Sequence, residues 1–208
     1  MKYINKSRFF SLVLLLTLLF SLLISYAKSS GKAIADSVVR LHIVANSDSG
    51  LDQELKLKVR DRILNDTSHI FEKANSPYDA FNLADKNREY IKEVAKDELR
   101  KYGSLYDVSV KTGMFPFPTK VYGNIALPSG KYNAVRIEIG EGAGENWWCV
   151  MYPPLCFTEG ILVAPDSATE KLKASLSPAD YDLVTQNPSS KIPVEIKFKV
   201  VEIFQNIF

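Results

Sequence analysis

Two histidines, two cysteines and one turn dense in oxygen side chains are where this chain of 208 residues could do chemistry. Catalysis needs a nucleophile, a base and an orienting group, or a set of metal ligands. His42 lies inside an apolar, β-branched run and His69 near the end of an amphipathic one. No HExxH, GxSxG or CxxC motif is present. His42 therefore reads as a partly buried strand residue and His69 as a solvated helix-end residue. No catalytic residue, metal set or cofactor is expected. The competing reading is a hydrolase acting on cell wall or peptide, with Asp48, Asp52 or His42 as acid or base.

Cys149 and Cys156 flank the stretch VMYPPL. In an exported protein two cysteines this close usually pair. Closing a loop of about eight residues stabilises by roughly 2–3 kcal/mol. The alternatives are unpaired core thiols or a nucleophile, and a nucleophile needs a thiolate-stabilising site that nothing here indicates. Residues 46–52 (NSDSGLD) carry oxygen side chains at alternate positions, as calcium loops do. Glycine falls one position early, however, and Leu57 stands where the twelfth-position Glu belongs. A capped strand–helix turn is the expected reading, with a metal or anion site as the alternative.

Lys56, Lys58, Arg60 and Arg62 alternate, so on a helix of 3.6 residues per turn they cannot all face one partner. They read as a solvated face. Trp147 and Trp148 point to opposite faces if they lie on a strand, one buried and one available as an interface anchor. The expected contact residues are Asn46, Ser47, Asp48, Asp52, Gln53, Lys56, Arg60, Trp147 and Trp148. Binding groups commonly sit on such turns.

The elements that must position these residues follow from periodicity. Val38–Asn46 reads as a buried strand. Ser49 with Asp52 fits a capping box, opening a helix from about Leu51 to Lys73 whose residues Leu51, Leu55, Val59 and Ile63 are spaced by four. Asp52 with Lys56 and Glu54 with Lys58 stand in the favourable i, i+4 order. Ser76-Pro77 opens a second long helix ending at Gly103, and the two are expected to pack as a hairpin. Residues 106–112 and 132–139 alternate as half-buried strands. Thr119–Leu127 is a weaker strand, with a hairpin turn expected at Pro128-Ser129-Gly130. Trp147–Tyr152 is another short strand, and Ser177-Pro178 caps a short helix. Residues 192–207 fit both a strand and a helix face. The fold class is α+β: an N-terminal strand, a two-helix hairpin, then a mainly antiparallel sheet with a short helix.

Composition is that of a globular protein, 46% hydrophobic and 24% charged. Lys2, Lys6 and Arg8 precede an uncharged run of 19 residues from Phe9 to Ala27. This is the layout of an export signal or a membrane anchor. The positive flank stays cytoplasmic and the body crosses the membrane. Without the leader, 23 basic residues face 24 acidic ones, so a nucleic-acid partner is disfavoured. Residues 1–27 are the signal peptide or signal anchor, 28–35 a linker and 36–208 a single extracytoplasmic domain, touching membrane only through the N-terminal segment.

RLHIVANSDSGLDQELKLKVRDRIL, residues 40–64, and NWWCVMYPPLCF, residues 146–157, resemble the stage II sporulation protein R family. The resemblance covers nearly the whole body. It implies a signalling protein made in the forespore and exported into the space between forespore and mother cell. There it would activate a membrane-embedded aspartic protease of the mother cell, which processes the sigma-E precursor. The protein would be the signal, not the protease.

Overall fold

The computed structural model describes residues 6–71, 73–156 and 166–185. The fold is α+β, built on one mixed sheet whose pairings are mainly antiparallel. Strand β1 (Val39–Val44) is central. It pairs in parallel with β5 (Gly130–Ile139) and antiparallel with β6 (Asn146–Tyr152). Strand β2 (Val108–Phe117) completes the order β2-β5-β1-β6. All six residues of β1 are buried. That suits a strand covered on both faces, whose sequence runs apolar rather than alternating.

Odd residues of β1 face the helices. Val39, Leu41 and Ile43 pack with Leu55, Val59 and Ile63 of α2 (Gly50–Phe71), and with Ile91, Ala95 and Leu99 of α4 (Arg88–Lys101). The long second helix expected after Ser76 is two helices, α3 (Pro77–Lys86) and α4. Asn87 makes the break: its side-chain amide donates to the Leu83 carbonyl at 2.7 Å, and its backbone N–H is shared among preceding carbonyls. Such local bonding competes with continued helix. The Ser76 cap is made, its hydroxyl accepting from the Asp79 N–H at 3.1 Å.

The segment 119–127, expected as one strand, is a hairpin of β3 (Lys120–Tyr122) and β4 (Ile125–Leu127). It turns at Gly123, which has φ +59°, the left-handed backbone a two-residue hairpin requires. The turn expected at residues 128–130 joins strands that do not pair with each other. Helix α5 (Asp166–Ser175) carries no counterpart in the sequence reading, whereas α6 (Pro178–Val184) keeps its Ser177 cap, accepting from the Asp180 N–H at 3.2 Å. The ambiguous residues 192–207 lie outside the described residues.

Helix α1 (Lys6–Asp36) contains the whole apolar run and is long and apolar enough to cross a membrane. Residues 28–35, read as a linker, are its last turns. Ser30 and Ile34 are buried against the body, while the side chains of Phe9 through Leu23 that are described are exposed. Ile34 and Val38 join a second core with Phe117, Ile125, Leu127, Tyr132, Leu155 and Leu172, on the sheet face opposite the main helices.

Candidate functional site: the strand–helix junction and the tryptophan strand

The chain leaves β1 at Val44 and enters α2 at Gly50, so residues 45–49 must reverse it while hiding several polar groups. They do so through Asp52. Its carboxylate accepts from the Asn46 side-chain amide at 2.9 Å and from the Ser47 hydroxyl at 2.5 Å. Ser49 caps α2 by accepting from the Asp52 N–H at 3.2 Å, and the Gln53 side chain donates to the Ser47 carbonyl at 2.8 Å. The capping box is thus half made. Asp52 turns back to the strand end, and the Ser49 backbone N–H is taken by the Ser47 hydroxyl at 3.2 Å instead of by the Asp52 carboxylate. Burial works against the Asp52 carboxylate, but bonds from Asn46, Ser47, Tyr106 and Ser49 outweigh it and hold the carboxyl below its ordinary range.

A second loop, residues 140–145, locks onto the first. The Asn46 side-chain carbonyl accepts from the Glu141 N–H at 3.0 Å, and the backbone carbonyls of Ala45 and Asn46 accept from Gly144 and Ala143. Gly140 has φ +57°, and a side chain there would collide with the Asn46 amide; one at Gly144 would collide with the Ser47 carbonyl. Only glycine permits this approach.

The bases of α2 divide. Lys56 and Arg60, read as part of a solvated face, are buried at 4% and 6% exposure. Lys56 donates to the Gln53 side chain and to the Glu145 carbonyl at 3.0 Å, and burial lowers its affinity for the proton. The Arg60 guanidinium lies 4.2 Å from the Trp147 ring centroid and pairs with Asp61 at 2.7 Å. Among the described residues neither i, i+4 pair expected on α2 closes. Asp52 and Lys56 are claimed by the tertiary contacts just described.

Trp147 and Trp148 point to opposite faces, one toward each core. Trp148 stacks on His42 with ring centroids 3.7 Å apart. His42 Nε2 is 2.6 Å from the Asn146 Oδ1. Burial, with Arg136 and Arg40 nearby, outweighs that bond and lowers the His42 pKa to about 4, so the ring is neutral. His69 is exposed near the end of α2. Arg40 is fully buried among aromatic rings, 4.2 Å from the centroid of Phe117 and 4.8 Å from that of Tyr132, and donates to the Tyr122 hydroxyl at 2.6 Å. Cys149 and Cys156 are joined in a disulfide. Among the described residues no cluster of His, Cys, Asp and Glu is placed to hold a metal ion.

The structure therefore joins Asn46, Ser47, Asp52, Gln53 and Lys56 in one network, leaves Asp48 exposed beside it, and places Arg60 with Trp147 behind it. Trp148 belongs to the other face. The sequence reading missed the loop 140–145, for which the two glycines of EGAGE were the available signal, and Asn146, the partner of His42.

No solved structure matches the chain. A relative, the stage II sporulation protein R of Bacillus subtilis (strain 168), is 36% identical over 186 residues, which cover 84% of this chain and 83% of the relative. The family model described as stage II sporulation protein R matches residues 35–161, a span that begins in the last turn of α1 and takes in both the junction and the tryptophan strand. On these grounds the chain belongs to the stage II sporulation protein R family.

Proposed function

We propose that this protein is an exported sporulation signal acting by contact. It is made in the forespore and carried across its membrane by the apolar run of α1. In the space between the two cells it engages a membrane-embedded aspartic protease of the mother cell, which then processes the sigma-E precursor. The observation that carries the contact reading is the state of the polar groups at the junction. Asp52 is saturated by hydrogen bonds and His42 is buried and neutral, so each supports a shape. In this reading Asn46, Ser47, Asp48 and Gln53 form part of the contact surface, while Asp52, Lys56, Arg60 and Trp147 hold that surface in place.

The test is reconstitution in a host that does not sporulate. The full chain, the receptor-protease and the tagged precursor are produced together, and precursor shortening is followed by immunoblot. Processing should need both the chain and its apolar run. Replacing Leu15 and Leu18 by Arg should abolish it, since each charge near the centre of the segment costs about 2.5–3.5 kcal/mol. His42→Gln should keep activity as long as the protein folds. A folded His42→Gln protein that binds the receptor normally yet is inactive would overturn the contact reading.

A further inference from the structure

Strand direction gives the body two distinct ends. α1 enters the sheet at the start of β1, beside the start of β5 and the ends of β2 and β6. The six residues of β1 then carry the chain about 20 Å away. The far end holds the junction, the loop 140–145 and the segment between α4 and β2. An apolar crest is exposed there. Leu105 is 90% exposed, Leu51 66% and Tyr102 50%, with Tyr106 at the exposure border. They flank the first two turns of α2: the Tyr106 hydroxyl acts on the Asp52 carboxylate, next in sequence to Leu51, Lys58, two helical turns beyond Leu51, lies 5.7 Å from the Tyr102 ring, and Leu105 stands between Tyr102 and Tyr106 in the chain. Leu51 fits the four-residue spacing of the buried stripe Leu55, Val59 and Ile63, yet it lies outside the core.

The rim of the crest is acidic. Asp48, Glu54, Glu141 and Glu145 are exposed, and among the described residues none of them makes an ion pair. Two cations of α2 stand close by, Lys58 over the Tyr102 ring and the buried Lys56 within reach of Asp48 and Glu145, while Arg100 and Lys101 of α4 are already paired with Asp97 and Glu98. Exposed apolar patches of this kind mark interaction sites. Exposed carboxylates are repelled by an anionic lipid surface, and they complement Lys or Arg on a protein.

We propose that this far end, with Leu51, Tyr102, Leu105 and Tyr106 at its centre and Asp48, Glu54, Glu141 and Glu145 around it, docks a protein patch that is apolar and flanked by basic side chains. The inference rests on the contact reading above and names the surface that the receptor would touch. It also fits the fold's polarity, because this end reaches farthest from the membrane segment.

The experiment uses the full chain with the receptor-protease and precursor in the reconstituted host. A photo-reactive residue is placed at position 105, or at position 78 as a control. Tyr78 is 74% exposed and opens α3 near the end of the body where α1 enters. Position 105 should give an adduct with the receptor and position 78 none. The pair Leu51→Asp with Leu105→Asp should lower both adduct formation and processing by ~tenfold or more. Glu141→Lys with Glu145→Lys should lower them several-fold, with unchanged thermal midpoints in both cases. Full processing by the folded Leu51→Asp, Leu105→Asp protein would overturn this surface alone. So would receptor adducts from position 78 only, or adducts from position 105 with lipid only. An unaltered chain that neither binds the receptor nor triggers processing would overturn the contact reading and this surface together.

Discussion

The two faces of β1 are buried to the same extent by different means. Val39, Leu41 and Ile43 pack into a cluster of apolar side chains with α2 and α4. Arg40 and His42, one residue out of phase, meet rings: Phe117, Tyr122 and Tyr132 around the guanidinium, Trp148 against the imidazole. On the first face stability comes from area removed from water and from close packing. On the second, cation–π contacts offset the cost of burying a charge. That cost is not fully met, because the Nε and Nη1 of Arg40 and the Nδ1 of His42 are buried without hydrogen-bond partners. Equal burial therefore hides unequal sensitivity. The helical face should respond to lost volume, and the aromatic face to pH.

The largest expected effect is on the helical face. Leu41→Ala should destabilise by about 3–4 kcal/mol, read as a shift of the urea midpoint at constant slope. A loss below about 1 kcal/mol would mean that this face tolerates a cavity and that the contrast is false. Next comes the disulfide that ties β6 to the chain beyond it. Replacing Cys149 and Cys156 together by Ala should cost about 2–3 kcal/mol from loop closure. Mass spectrometry of the exported, unreduced protein should show no alkylatable thiol before that change.

The pH effect on the aromatic face is smaller. His42 has an ordinary pKa of 6.5 and titrates at about 4 in the fold, so between these values the unfolded chain binds more protons. Stability should therefore fall as pH is lowered through that window, by about 1–2 kcal/mol once solvent screening is allowed for. The carboxyls of Asp52 and Glu138, also held low, act only below their unfolded values of 3.8 and 4.5. His42→Gln should flatten the slope between about pH 6.5 and pH 4.5. An unchanged slope would remove His42 as its source. Smallest of all is Arg40→Met, which keeps the bulk, loses the charge and relieves two unpartnered groups. It should change stability by no more than about 1 kcal/mol. A loss of several kcal/mol would show that the cation, and not the volume, holds the aromatic face.

What could be read from the sequence divides along the same line. The stripe Leu55, Val59, Ile63, the alternation of β5, the Ser76 and Ser177 caps and the Cys149–Cys156 pair were legible, because each is set by local spacing or chemistry. The break at Asn87 was not, since asparagine is compatible with a helix until its side chain takes a carbonyl. The inward turn of Lys56 and Arg60 was not either. Their partners, the Glu145 carbonyl and the Trp147 ring, lie more than eighty residues away. The parallel pairing of β1 with β5 likewise depends on a connection that passes through three helices and three strands. For the junction, Asn46, Ser47 and Asp52 were legible as a polar turn. That they are mostly consumed in holding it closed was not.

The last turns of α1 carry one more consequence. Ser30 and Ile34 are seated in the body, while the apolar run before them touches little of it. A cut after Ala27 would remove no buried side chain from the second core, so the domain would keep its shape with the run attached or removed. What would change is the space it explores. In the proposed setting between two membranes, an attached body would diffuse in two dimensions within one of them, at a high local concentration fixed by the gap. A released one is diluted through the whole volume of that gap. The rigid helical join would also hold the far end at one height and tilt, so that fewer orientations need be searched before docking.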